Sequence, residues 1–177
     1  MLVTFEREIE GISERALTLF LSKARQAVGL RGDVDVVVTT NRRMQQLNRQ
    51  FRRKDKPTDV LSFPAEFPTL PSGRVGHPFA GAIAICGDIA KENGCALGHG
   101  TLVELKILLL HGVLHLAGHD HESDDGQMAR REQKLRRELG LPDGLIERTE
   151  NPRVSFANVG HRGLKKSGSK GSARSRR

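Results

Sequence analysis

The sequence predicts an α/β (α+β) fold in a single compact domain: a small mixed sheet with helices around it and one central apolar helix. Three observations predict it. Short β-branched runs alternate with stretches of helical periodicity. The most apolar helical stretch, 102–117, sits among amphipathic neighbours, where it would form the middle of a core. The 177 residues suit one ordinary domain better than two.

Taken in order, residues 1–6 alternate weakly and can open a sheet. Ser13 is placed to cap a helix running to about Val28, with Ala16, Leu17, Phe20, Ala24, Ala27 and Val28 on one side. Gly29 and Gly32 punctuate the chain before 34–39 (VDVVVT), a short strand. Asn41 is read as the cap of a second helix, with Met44, Leu47 and Phe51 at helical spacing. The charged run 52–57 leads to a strand at 58–64 (TDVLSFP). A Pro- and Gly-rich loop, 66–78, precedes 79–85 (FAGAIAI), a fully buried strand ending at Gly87-Asp88. The apolar helix then runs from about Leu102 to Ala117 and stops at Gly118. A last helix starts near Asp125, carries Met128, Glu132, Leu135 and Leu139, and ends before Gly140 and Pro142.

After Pro152 hydrophobicity falls and Gly and Ser accumulate. The chain therefore divides into a domain at 1–150 and a basic tail at 151–177, expected to be disordered. Charge divides at the same place. The net charge of +8 comes from eight Lys and Arg in 151–177, a stretch without Asp or Glu. The other 21 basic residues balance the 21 acidic ones, so the domain is formally neutral. A basic overall balance is thus no sign of a binding face on the fold. The seven Phe, with no Trp or Tyr, are expected to fill the core, which leaves little for base stacking.

Cys86 and Cys95 have the spacing of neither a metal knuckle nor a redox pair. The opening MLVTFEREIEG lacks the basic-then-apolar order of a secretory signal, and the apolar run around residue 110 is too short for a bilayer. The expectation is a reduced cytoplasmic location and no membrane partner.

Chemistry concentrates in 111–121, HGVLHLAGHDH. On a helix, His111 and His115 stand at i and i+4 on one face. Gly118 permits a sharp turn, because only glycine takes positive φ without steric cost. The turn can return His121 to a third corner, giving three imidazoles and an open position, the pattern of a catalytic zinc. The expected cofactor is one divalent cation, Zn²⁺ by this donor set. His119 and Asp120 are expected beside the site, to orient a ligand or move a proton. The spacing H-x3-H-x2-G-x2-H also occurs in metzincin proteases, where Glu follows the first histidine as general base. Here that position is Gly112, which speaks against peptide hydrolysis by that route.

With these residues, the stretch 47–64 (LNRQFRRKDKPTDVLSFP) and the Gly87-Asp88-Ile89 triplet, the chain resembles the YbeY family of bacterial endoribonucleases, ribosomal RNA maturation factors. The resemblance covers about 30–140. It implies a single-domain α/β fold, a zinc-like ion on the three histidines, and cleavage of single-stranded RNA in late rRNA maturation and small-subunit quality control. It also implies ribosomal or ribosome-assembly partners, and a functional arginine at Arg52, since the family more often has Gly where Arg53 stands. An arginine fork suits phosphate and keeps its charge. Arg52, Arg53 and Lys54 are therefore the expected nucleic-acid-binding residues, with Arg52 offsetting charge at the reacting phosphate. No general base is identified among His119, Asp120 and Glu122, and attack by water or by the RNA 2′-hydroxyl both stay open. Two other readings stand beside this one: a metzincin-like metallohydrolase of a non-RNA substrate, and a non-catalytic ribosome-assembly factor with a structural metal.

Overall fold

A computed structural model of the chain describes residues 1–65, 78–119, 125–142 and 157–158. Within them the order is β1 (Leu2–Phe5), α1 (Glu14–Val28), β2 (Asp33–Thr39), α2 (Asn41–Arg52), β3 (Val60–Pro64), β4 (Phe79–Cys86), α3 (Gly87–Ala96), α4 (Thr101–Leu116), α5 (Gln127–Glu138) and the two-residue β5 (Ala157–Asn158). The α/β single-domain expectation is met. Strands β1, β2 and β4 run parallel, β3 is antiparallel to β4, and β5 joins the far edge of β3, giving the order β1-β2-β4-β3-β5. Of the tail assigned to 151–177, all but Ala157–Asn158 lies outside the described residues, as do residues 66–77 of the loop assigned to 66–78.

The two faces of the sheet are covered unequally. On one face, Val34, Val36, Val38, Ile83 and Ile85 meet Leu17 and Leu21 of α1 and the whole inner length of α4. Helix α4 is buried without a break from Ile107 to Leu116, as its all-round apolar sequence requires. On the other face a smaller cluster of Met44, Leu61, Ala84 and Cys86 is roofed by α2, with Ile89 of α3 packed against it. No single helix among the described residues is long and apolar enough to cross a membrane.

Several element boundaries differ from expectation for physical reasons. Helix α1 begins after Ser13, whose Oγ accepts from the Ala16 N–H at 3.3 Å, as expected, but Leu21 is buried in place of the half-buried Ala16 and Ala27. The cap of α2 is Thr40 rather than Asn41: its Oγ1 accepts from the Arg43 N–H at 3.4 Å. Asn41 is the first helical residue, and its N–H goes to the Asp88 carboxylate at 2.8 Å. Gly87-Asp88 do not end a strand in a loop; they open α3, a helix that the sequence pattern does not announce. Within α3, Gly94 allows the corner with α4, since a Cβ there would stand 2.7 Å from the backbone of Gly100. The two helices meet at a bend of 115°.

Candidate metal centre

Helix α4 carries the centre. His111 and His115 lie one turn apart, each only 3% exposed, with their Nε2 atoms 2.9 Å from each other. The rings meet edge to face, centroids 4.6 Å apart. Gly112, between them, faces the sheet. A Cβ there would sit 2.9 Å from two Ile83 carbons and 3.2 Å from Ser62 Oγ. The Ser62 hydroxyl already donates to the Gly112 carbonyl at 3.3 Å. A glutamate at this position would collide with β4 instead of joining the histidines, so the missing protease base has a packing cause.

Helix α5 supplies a residue whose sequence pattern marks it only as a member of a helix face. Glu132 is 1% exposed and its Oε2 lies 2.8 Å from His111 Nδ1. Its Oε1 accepts from Arg136 Nε at 2.9 Å and from the same guanidinium's Nη2. Burial pushes the Glu132 carboxyl up, but His111 and Arg136 beside it outweigh that and hold it well below the usual carboxylate range, at about 2. An ionised carboxylate at Nδ1 places the His111 proton there and turns the Nε2 lone pair toward His115. This is how a histidine ligand is commonly oriented from behind.

That arrangement answers whether a cation fits. Two nitrogen ligands of one tetrahedral zinc, each about 2.0–2.1 Å from it, stand about 3.3 Å apart. The pair at 2.9 Å is close to that spacing, and the Glu132 carboxylate at Nδ1 favours the tautomer in which His111 Nε2 can bind a cation. The two described nitrogens are therefore compatible with a zinc-like ion, and no group of three or more metal-ligating side chains forms among the described residues. Past α4, Gly118 takes φ 87°, its N–H reaches the His115 carbonyl at 3.0 Å, and the His119 N–H reaches the Leu114 carbonyl at 3.1 Å. This is the glycine turn the sequence implied. His119 is half-buried, and nothing among the described residues hydrogen-bonds to its ring. Asp120, His121 and Glu122 lie outside the described residues.

The arginine loop begins at the end of α2, where Arg52 is half-buried and Arg53 and Lys54 are exposed. Arg53 holds φ 58° as the left-handed cap of α2. Among the described residues it is the one non-glycine with positive φ, a conformation that suits Gly best. The loop is anchored from beneath: Asn48 Nδ2 donates to the Lys56 carbonyl at 2.7 Å, and Gln45 Nε2 to the Asp55 carbonyl at 3.3 Å. Asp59, buried, closes its far end, its Oδ1 accepting from the Val60 N–H at 2.9 Å and its carbonyl from the Cys86 N–H at 2.7 Å. A run that composition alone would make a solvated turn is thus a built loop. It connects to the centre through β3, where Phe63 meets Phe51 of α2 and the adjacent Ser62 meets Gly112 of α4.

Fold and centre together define the class: a single-domain α/β protein whose buried polar centre is a helix-borne histidine pair backed by a carboxylate. A family model described as endoribonuclease YbeY matches residues 3–140. Among curated relatives, endoribonuclease YbeY of Koribacter versatilis is 52% identical over 151 residues, covering 85% of this chain and 93% of the relative. The Sulfurovum sp. protein of the same name is 42% identical, covering 73% and 87%. The solution structure of a protein from Thermotoga maritima is similar at a TM-score of 0.50 and 29% identity, over 78% of this chain and 89% of that one. The chain belongs to the endoribonuclease YbeY family, hydrolases acting on RNA.

Proposed function

We propose that the chain is a metal-dependent endoribonuclease that cuts single-stranded stretches of ribosomal RNA in the cytoplasm, in late maturation and small-subunit quality control, alongside ribosomal or ribosome-assembly proteins. Family membership supports the reaction class. The single observation that carries the chemistry is the buried His111–His115 pair with Glu132 behind it. His111, His115 and His121 would hold one divalent cation, zinc by the chemistry of the donors. When bound, it supplies Lewis-acid polarisation of a phosphoryl oxygen. The residues of the chain do the rest. Glu132 and Arg136 keep His111 in its tautomer and orientation. Arg52, on the anchored loop, offsets negative charge developing on the phosphoryl oxygens. Arg53 and Lys54 hold the neighbouring phosphates, and His119 and Asp120 stand next in sequence to the third ligand for proton transfer.

Cleavage of a single-stranded rRNA fragment by wild type, Arg52→Ala and His115→Ala tests this reading. Arg52→Ala is expected to lose roughly 100-fold in rate, the scale of one charge-stabilising donor, with metal content unchanged. His115→Ala is expected to lose both metal and activity. A folded His115→Ala variant that cuts at the wild-type rate would sink the metal-dependent reading, whereas a wild-type protein that holds metal and cuts no RNA would favour the assembly factor with a structural metal.

A further inference from the structure

Composition suggests that the aromatic rings fill the core, and the structure bears this out only in part, with Phe5 and Phe63 packed against the core and Phe51 and Phe79 exposed. Of the described phenylalanines, only Phe20 is buried; Phe51 is 46% exposed. Phe51 stands in the last turn of α2, its ring centroid 4.9 Å from that of Phe63 with the planes at 71°. A T-shaped contact covers at most one face of either ring, so Phe51 keeps a face clear of Phe63.

An exposed ring alone says little; its surroundings say more. Helix α2 carries Arg42, Arg43, Arg49 and Arg52 and no acid, and Arg53 and Lys54 follow. Beside it, where α2 leaves the second face of the sheet uncovered, lies a groove of about 230 Å³ lined by Val37, Arg43, Leu47, Phe63, Ala82 and Ala84 among others. Its far wall bears Glu6 and Asp35, both engaged: Glu6 accepts the Thr39 hydroxyl, and Asp35 accepts the Leu2 N–H at 3.0 Å. These donors are neutral and leave both carboxylates charged, so the cationic stretch is the α2 side alone, from Arg42 to Lys54, where the open face of Phe51 lies. Aromatic faces beside a row of cations are how single strands are bound without sequence readout. An acidic peptide would use the charges and leave the ring idle.

We propose that Phe51 is the stacking platform for an unpaired base of the RNA, with the α2 arginines along the adjoining phosphates. This rests on the endoribonuclease reading and adds to it a source of strand preference. A base inside a duplex has both faces occupied by its neighbours, so only unpaired RNA can use Phe51.

The chain has no Trp, so Phe51→Trp introduces its one indole at the proposed contact. Emission is followed in the full-length protein during titration with a 2′-O-methyl oligoadenylate, and separately with inorganic polyphosphate, which has charge and no bases. The oligonucleotide is expected to quench the indole and polyphosphate to leave it unchanged. Phe51→Ala is expected to bind the oligonucleotide roughly tenfold more weakly than wild type, at equal affinity for polyphosphate. Equal quenching by both polymers, or wild-type oligonucleotide affinity in Phe51→Ala, overturns the platform while wild-type RNA cleavage leaves the parent reading standing. A wild-type protein that neither binds nor cuts RNA overturns both.

Discussion

At the residue scale, the centre is a relay of orientation: Arg136 holds Glu132, Glu132 holds His111, and His111 points at His115. Glu132→Gln retains the shape and removes the charge, so metal affinity is expected to fall about 10–100-fold, read by competition with a chromogenic chelator. An unchanged affinity would reduce Glu132 to a packing residue. The histidines are legible in the sequence because helix periodicity and glycine's φ are local properties, and H-x3-H-x2-G encodes both. Glu132 is not, since its partner His111 lies on another helix. On an amphipathic segment a glutamate looks like part of the solvated face until α5 is laid against α4. Arg52 is legible only through the resemblance; the anchors Asn48 and Gln45 show why that loop holds a shape.

At the scale of elements, two backbone positions decide how helices meet the sheet. Gly112→Ala drives a methyl group into Ile83 at the point where α4 crosses β3 and β4. It is expected to cost about 1–3 kcal/mol in denaturant unfolding, the range for an overpacked core. Wild-type stability would contradict the close approach. Arg53 presents the opposite case: a side chain where the backbone favours none. Arg53→Gly removes the left-handed strain at φ 58° and is expected to stabilise by about 1 kcal/mol. A fall in stability would mean the Arg53 side chain contributes more than its backbone costs. Strands and long helices are legible at this scale because period two survives in β2 and period 3.6 in α1, while β4 and α4 show as continuous apolar runs of strand and helix length. Helix α3 is not, because it lacks a clear stripe, contains Gly94, and begins directly from β4 with no side-chain cap on Cys86. Its helicity comes from packing on α4, which no local pattern carries.

At the scale of the whole molecule, a formally neutral domain carries a basic segment, and β5 places the start of that segment beside β3. Removing 159–177 takes away seven Lys and Arg and leaves the domain's own residues intact. Unfolding and cleavage of a short RNA are expected to change little. The slope of log affinity against log salt is expected to fall by about 0.7 for each single-strand phosphate that the segment neutralises in the full-length chain. An unchanged slope would make the segment irrelevant to RNA.

Metal dependence is the claim on which the rest stands. Metal content of the purified chain, measured together with RNA cleavage before chelation, after chelation and after one equivalent of zinc is returned, tests it in one series. One ion per chain is expected, with cleavage abolished by chelation and restored by zinc. Cleavage that persists at full rate in metal-free protein would contradict it.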